Sequence, residues 1–209
     1  MKKILAILSI GALATAGFSQ GLVDFNSINS SYAISTNNLA TGAIGKTSVS
    51  TGTTSPLYYY ALLDEAYPGG GKPTTITSGT EPSWTFAASA TNYITAGGIN
   101  GGSTLSVASL TAGTEYYVEL VGWSANLGTT WATVSSELAN GSWATSAGYF
   151  GASAVGTITP TAAPSPAAFL FTANGIPSGF DLTSVPEPTT IALAAMGGLS
   201  LLALRRKKA

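Results

Sequence analysis

Carboxylates are the first side chains to consider for chemistry in this chain. Its 209 residues include no histidine and no cysteine. Serine–histidine and cysteine–histidine nucleophile systems are therefore absent. So are disulfides, thiolate metal sites and a lipid-modified N-terminal cysteine. The usual metal ligand and neutral-pH base is missing too. Paired carboxylates could in principle hydrolyse glycosides. Asp64 and Glu65 are adjacent, and neighbours on a strand point to opposite faces. Glu115 and Glu119 would share one strand face, about 13 Å apart at ~3.3 Å per residue. That exceeds the ~9.5 Å upper limit for an inverting pair. The expectation is solvated surface carboxylates and no enzyme. No Asp-rich calcium loop, phosphate-cradling glycine loop or metal-ligand spacing is present, so neither a cofactor nor a metal is expected.

Aromatic residues are the second candidate. Trp84, Trp123, Trp131 and Trp143, with Tyr58, Tyr59 and Tyr60, could form a flat platform for sugar rings. Such rings offer large rigid faces with a polar handle. The competing reading is core, because a body poor in Leu and Ile must bury something large.

The third candidate is a tripeptide. Pro186-Glu187-Pro188 precedes Thr189–Leu204, sixteen residues without a charge, and then Arg205-Arg206-Lys207-Lys208-Ala209. The prolines lack an amide N–H and restrict the residues before them, which keeps this stretch extended. An extended tripeptide beside a membrane suits a protease that reads backbone and side chains together. As a helix, 189–204 would be about 24 Å long. That is somewhat short of the ~30 Å hydrocarbon core, a gap that snorkelling and local thinning can close. The four terminal cations stay cytoplasmic, so the body faces outward.

The opposite end has the layout of a secretory signal peptide. Met1-Lys2-Lys3 is followed by an apolar run from Ile4 to Ala14 and then by small residues. Cleavage could follow Ala16 or Ser19, and Ser19 is favoured. Residues 1–19 are thus expected to engage the secretion translocon and signal peptidase. The run is too short for a comfortable span.

Between these ends lies one body, 20–185. It holds two lysines, Lys46 and Lys72, against eight acids, a net charge of −6. A body without arginine cannot neutralise a row of phosphates, so nucleic acid is excluded as a partner.

The elements that would position these residues are strands. Tyr58–Leu63 is apolar on both faces, as for a central strand. Glu115–Leu120 alternates, with Tyr116, Val118 and Leu120 on one face. Trp84–Ala88, Leu105–Val107, Tyr149-Phe150 and Ala152–Ile158 are further strand candidates. Gly- and Asn-rich turns separate them. No helical periodicity is expected over three turns. Residues 160–168, with three prolines, read as a linker or an extended edge. The predicted fold is all-β, a single antiparallel β-sandwich. A signal helix and a single transmembrane helix over 189–204 flank it.

Two resemblances refine this. Leu110-Thr111-Ala112-Gly113-Thr114-Glu115-Tyr116-Tyr117-Val118 resembles the tyrosine corner of fibronectin type III domains, with Ala112 where proline is usual. It implies that the Tyr116 hydroxyl bonds backbone near Leu110. Val185-Pro186-Glu187-Pro188-Thr189, the apolar stretch and the basic end resemble the PEP-CTERM sorting signal over residues 186–209. That resemblance implies recognition by an exosortase, a membrane-embedded cysteine protease or transpeptidase of Gram-negative bacteria. It also implies a transient inner-membrane anchor and then a cell-surface or extracellular location. The expected function is a non-catalytic surface or matrix protein linked to biofilm or exopolysaccharide. The alternative is a carbohydrate-binding module for the cell's own exopolymer.

Overall fold

The computed structural model describes residues 20–28, 30–38, 43–47, 57–67, 84–140 and 148–185. The predicted signal segment 1–19, the sorting segment 186–209 and Trp143 lie outside the described residues. In chain order the strands are β1 (Gln20–Asp24), β2 (Asn26–Ser27), β3 (Ser35–Asn38), β4 (Ala43–Lys46), β5 (Tyr58–Ala66), β6 (Thr85–Asn92) and β7 (Ile99–Asn100). They continue with β8 (Leu105–Thr111), β9 (Tyr116–Ser124), β10 (Tyr149–Ala152), β11 (Gly156–Ile158), β12 (Ala168–Phe169) and β13 (Asp181–Ser184). Among the described residues one α-helix, α1 (Trp131–Asn140), lies between β9 and β10.

The strands form two sheets. The small one runs β12-β1-β8; the large one runs β2-β7-β6-β5-β9-β10-β13-β3-β4, with β11 also paired to β9. The all-β expectation holds. Pairing is antiparallel except for β1 with β12 and β13 with β3, which are parallel. The parallel pairs join strands far apart in the chain, as parallel pairing requires.

Why β5 and β9 sit at the centre is visible in their sequences. Residues 60–63 of β5 and 117–124 of β9 are buried on successive positions, hence on both faces. Nine register pairs, from Tyr58↔Ser124 to Ala66↔Tyr116, join the two strands. On one face, Tyr60, Leu62, Val118 and Leu120 pack with Val23, Val107, Leu110 and Phe171 of the small-sheet side. On the other, Ala61, Leu63, Val121, Trp123 and Phe150 pack beneath Val134 and Leu138 of α1. Tyr116, Val118 and Leu120 share one face, as the alternation indicates.

The helix was not expected. Trp131, Val134 and Leu138 recur at helical spacing but span under three turns, among small and polar residues. Thr130 starts the helix: its Oγ1 accepts the Thr133 N–H at 3.3 Å, an N-cap bond. The Pro-rich segment 160–168 runs along the small sheet. The N–H of Leu22 donates to the Thr161 carbonyl at 2.8 Å, and Ala168 pairs with Val23. An outer edge tolerates prolines, which have no N–H to donate.

Candidate functional site

The C-terminal exit is built by β13. Its sequence Asp-Leu-Thr-Ser alternates, and Leu182 is fully buried in the inter-sheet core. β10 pairs with it through Tyr149↔Ser184 and Phe150↔Thr183, and β3 through Asp181↔Ser35 to Thr183↔Asn37. Gly151 of β10 lies so close to β13 that a Cβ there would strike the Asp181 carbonyl. Past the strand, the Val185 N–H donates to the Gly148 carbonyl at 2.8 Å. The Val185 side chain packs on the cluster under α1. Ordered structure thus reaches the residue immediately before Pro186. No linker separates the folded body from the tripeptide.

Among the described residues, Trp123 is not available as part of an exposed platform. Trp123 is 1% exposed and its Nε1 donates to the Gly128 carbonyl at 2.9 Å. It lies between Tyr59 and Trp131, with ring centroids 6.3 and 5.9 Å away. Trp84 and Trp131 pack half-buried on the same cluster. The Nε1 of Trp84 is enclosed without a partner, so it presents no polar handle to solvent. Trp123 is therefore core, as the area it must bury demands. The exposed aromatic ring of note is elsewhere. Phe169, with Asp24, Asn26, Ile28 and Tyr93, lines a groove of about 370 Å³. There the Asn26 Oδ1 accepts the N–H groups of Gly101 and Gly102 at 3.1 and 2.9 Å.

The carboxylates correct another expectation. Asp64 is 4% exposed and Glu119 fully buried, so neither is a solvated surface group. Both lie on strands covered on two faces. The Ser109 hydroxyl donates to Asp64 Oδ1 at 2.6 Å, a polar link from β8 to β5 across the sandwich. Burial pushes the Asp64 carboxyl above its ordinary range, and the Ser109 hydrogen bond partly offsets this. Among the described residues, no group of three acids lies where it could hold a metal ion.

At the corner between β8 and β9, the Thr111 N–H donates to the Tyr116 hydroxyl at 3.0 Å. The expected bond is present, although Tyr116 is half-buried rather than enclosed.

Residues 184–207 match the PEP-CTERM protein-sorting motif. The chain carries a PEP-CTERM sorting motif at its C-terminal end. The matched segment begins on Ser184, the last residue of β13, and covers Pro186, Glu187, Pro188, Arg205, Arg206 and Lys207, with Lys208 one residue beyond. No curated protein and no solved structure matches the chain. The motif supports an exosortase-sorted surface protein. Among the described residues, no helix is long and apolar enough to cross a membrane.

The Val185–Gly148 anchor was not foreseen from sequence. Its one sequence signal is the short alternating run Phe180–Val185 placed directly against the prolines.

Proposed function

We propose that this protein is a non-catalytic display protein of the bacterial surface or matrix. In this reading Pro186-Glu187-Pro188 is the tripeptide an exosortase reads. Arg205, Arg206, Lys207 and Lys208 hold the tail on the cytoplasmic side of the inner membrane, and residues 1–19 direct export. The observation that carries the reading is the sorting-motif match over 184–207, which starts as β13 ends. A folded body ending at the recognition tripeptide is a finished cargo: cutting there would remove the tail and leave all of β13 in place. Exopolysaccharide or biofilm matrix is its proposed destination. Fractionation of the producing strain with and without its exosortase tests this. Tail-less protein at the surface or in the matrix only when the enzyme is present is the expected result. Equal amounts of tail-less surface protein in both strains would contradict it.

A second reading, recognition of the cell's own polysaccharide, draws on the groove at Asp24, Tyr93 and Phe169. An aromatic ring beside a carboxylate suits a sugar face and its hydroxyls. Retention of the full chain on a polysaccharide panel, lost in Phe169→Ala, would favour it.

A further inference from the structure

The ten-stranded sheet has two unlike ends. Register places the terminal rung at one of them. Ser27 pairs Ile99, which pairs Asn92; Tyr58 pairs Ser124; and Tyr149 pairs Ser184. Among the described residues, four of the seven exposed large apolar ones lie on this rung's rim or one step inside it: Ile28 (64% exposed), Ile94 (62%), Leu57 (49%) and Ile44 (69%). The chain leaves the fold at the same end, through Val185. No described residue from 57 to 58, 92 to 100, 124 to 130 or 148 to 150 carries a charge. Three carboxylates lie at the opposite end, whereas Asp24 lines the groove beside Ile28. Asp64 and Glu65 face Val118 and Tyr117 across the far rungs, and Glu115 precedes β9 there. Leu57 and Glu65 are thus about 26 Å apart along β5 at ~3.3 Å per residue.

We propose that this isoleucine-rimmed end of the sheet rests on the outer surface of the lipid bilayer while the tail is attached. The inference rests on the reading of 189–204 as a membrane-crossing segment. Only Pro186, Glu187 and Pro188 separate Val185 from that segment. Three residues reach at most about 11 Å when fully extended. The headgroup layer takes up roughly 5–8 Å on each side of the hydrocarbon. The tether therefore leaves the exit end within a few ångströms of the headgroups. Apolar side chains at that depth leave water, and tyrosines such as Tyr58 and Tyr149 suit the interface. Asp64, Glu65 and Glu115 point away, which lessens the repulsion that anionic lipids would exert on the body. The fold thus presents to the membrane the end that gains from contact.

The absence of cysteine permits a clean test. Full-length chain is reconstituted in vesicles of phosphatidylethanolamine and phosphatidylglycerol. It carries an environment-sensitive label at Leu57→Cys, Ile94→Cys, Thr114→Cys or Met196→Cys. Leu57, Ile94 and Thr114 are exposed, so their labels leave the core intact. Spin-labelled lipids serve as quenchers. The proposal predicts a blue shift and loss of emission at 57, 94 and 196, and neither at 114. Quenching at 196 alone would overturn the proposal and leave the membrane-crossing reading standing. No quenching at 196 would overturn both. A blue shift at 57 and 94 without lipid quenching would mean that protein covers this end, and would also overturn it.

Discussion

The N–H of Val185 donates to the carbonyl of Gly148 at 2.8 Å, one residue before Pro186. This bond extends the β10–β13 pairing to the boundary of the sorting tripeptide. It fixes where the tail leaves the body, and it makes β13 part of the fold rather than a stalk.

Gly151→Ala tests that attachment. A Cβ at 151 would meet the Asp181 carbonyl, so β13 must shift away from β10. Overpacking of this kind costs about 1–3 kcal/mol. Faster amide exchange in 181–185 than in β5 is the expected signature, read by hydrogen–deuterium exchange mass spectrometry. Unchanged protection across β13 would show that the contact is not tight.

Trp123→Ala should be severe, because Trp123 is 1% exposed and stacks within 6.3 Å of Tyr59. Loss of a buried aromatic of this size costs about 3–5 kcal/mol. A thermal melt reads it. A small loss of stability, with lost polysaccharide binding, would instead restore the sugar-platform idea.

Tyr116→Phe removes the acceptor of the Thr111 N–H at the β8–β9 corner. The bond is partly solvated, so the cost should fall near the ordinary value of about 1 kcal/mol. An unchanged melting temperature would mean that water replaces the hydroxyl without loss.

Asp64→Asn should change how stability depends on pH. Burial raises the folded carboxyl's pKa above its ordinary 3.8. Below that pH the residue is neutral in both states and contributes no penalty. As pH rises through the folded pKa, the buried charge is formed and wild-type stability falls relative to the unfolded chain. An Asn carboxamide can still accept the Ser109 hydroxyl while carrying no charge. The difference in melting temperature, variant minus wild type, should therefore grow between pH 3 and neutrality. A difference that shrinks over that range would reverse the sign of the argument.

Much of the fold was legible because periodicity and burial agree in it. Tyr58–Leu63 is apolar throughout and lies in a central strand; Glu115–Leu120 alternates and turns Tyr116, Val118 and Leu120 to the inter-sheet face. What escaped notice depends on partners distant in sequence. Glu119 looks like a surface residue in the alternating pattern, but it faces Leu63 on the central strand pair and is fully buried. Trp131, Val134 and Leu138 mark a helix only once Trp123 and Phe150 are known to need a cover. The isoleucine rim is invisible in sequence, since only strand register puts Ile28, Ile44 and Ile94 at or near the same end of their strands. The sorting motif was readable because it is linear: order and spacing carry it without any fold.

Glu187 is the one charge in the tripeptide, so the account makes it a contact of the sorting enzyme. Glu187→Ala should leave export intact and block release. The decisive measurement is the intact mass, with membrane and surface fractionation, of the mature protein from wild-type and Glu187→Ala strains. The account predicts a wild-type mass ending near Pro186–Pro188 and a membrane-held Glu187→Ala protein that keeps its tail through Ala209. Intact tails in both strains would contradict it, and would make residues 189–204 a plain anchor.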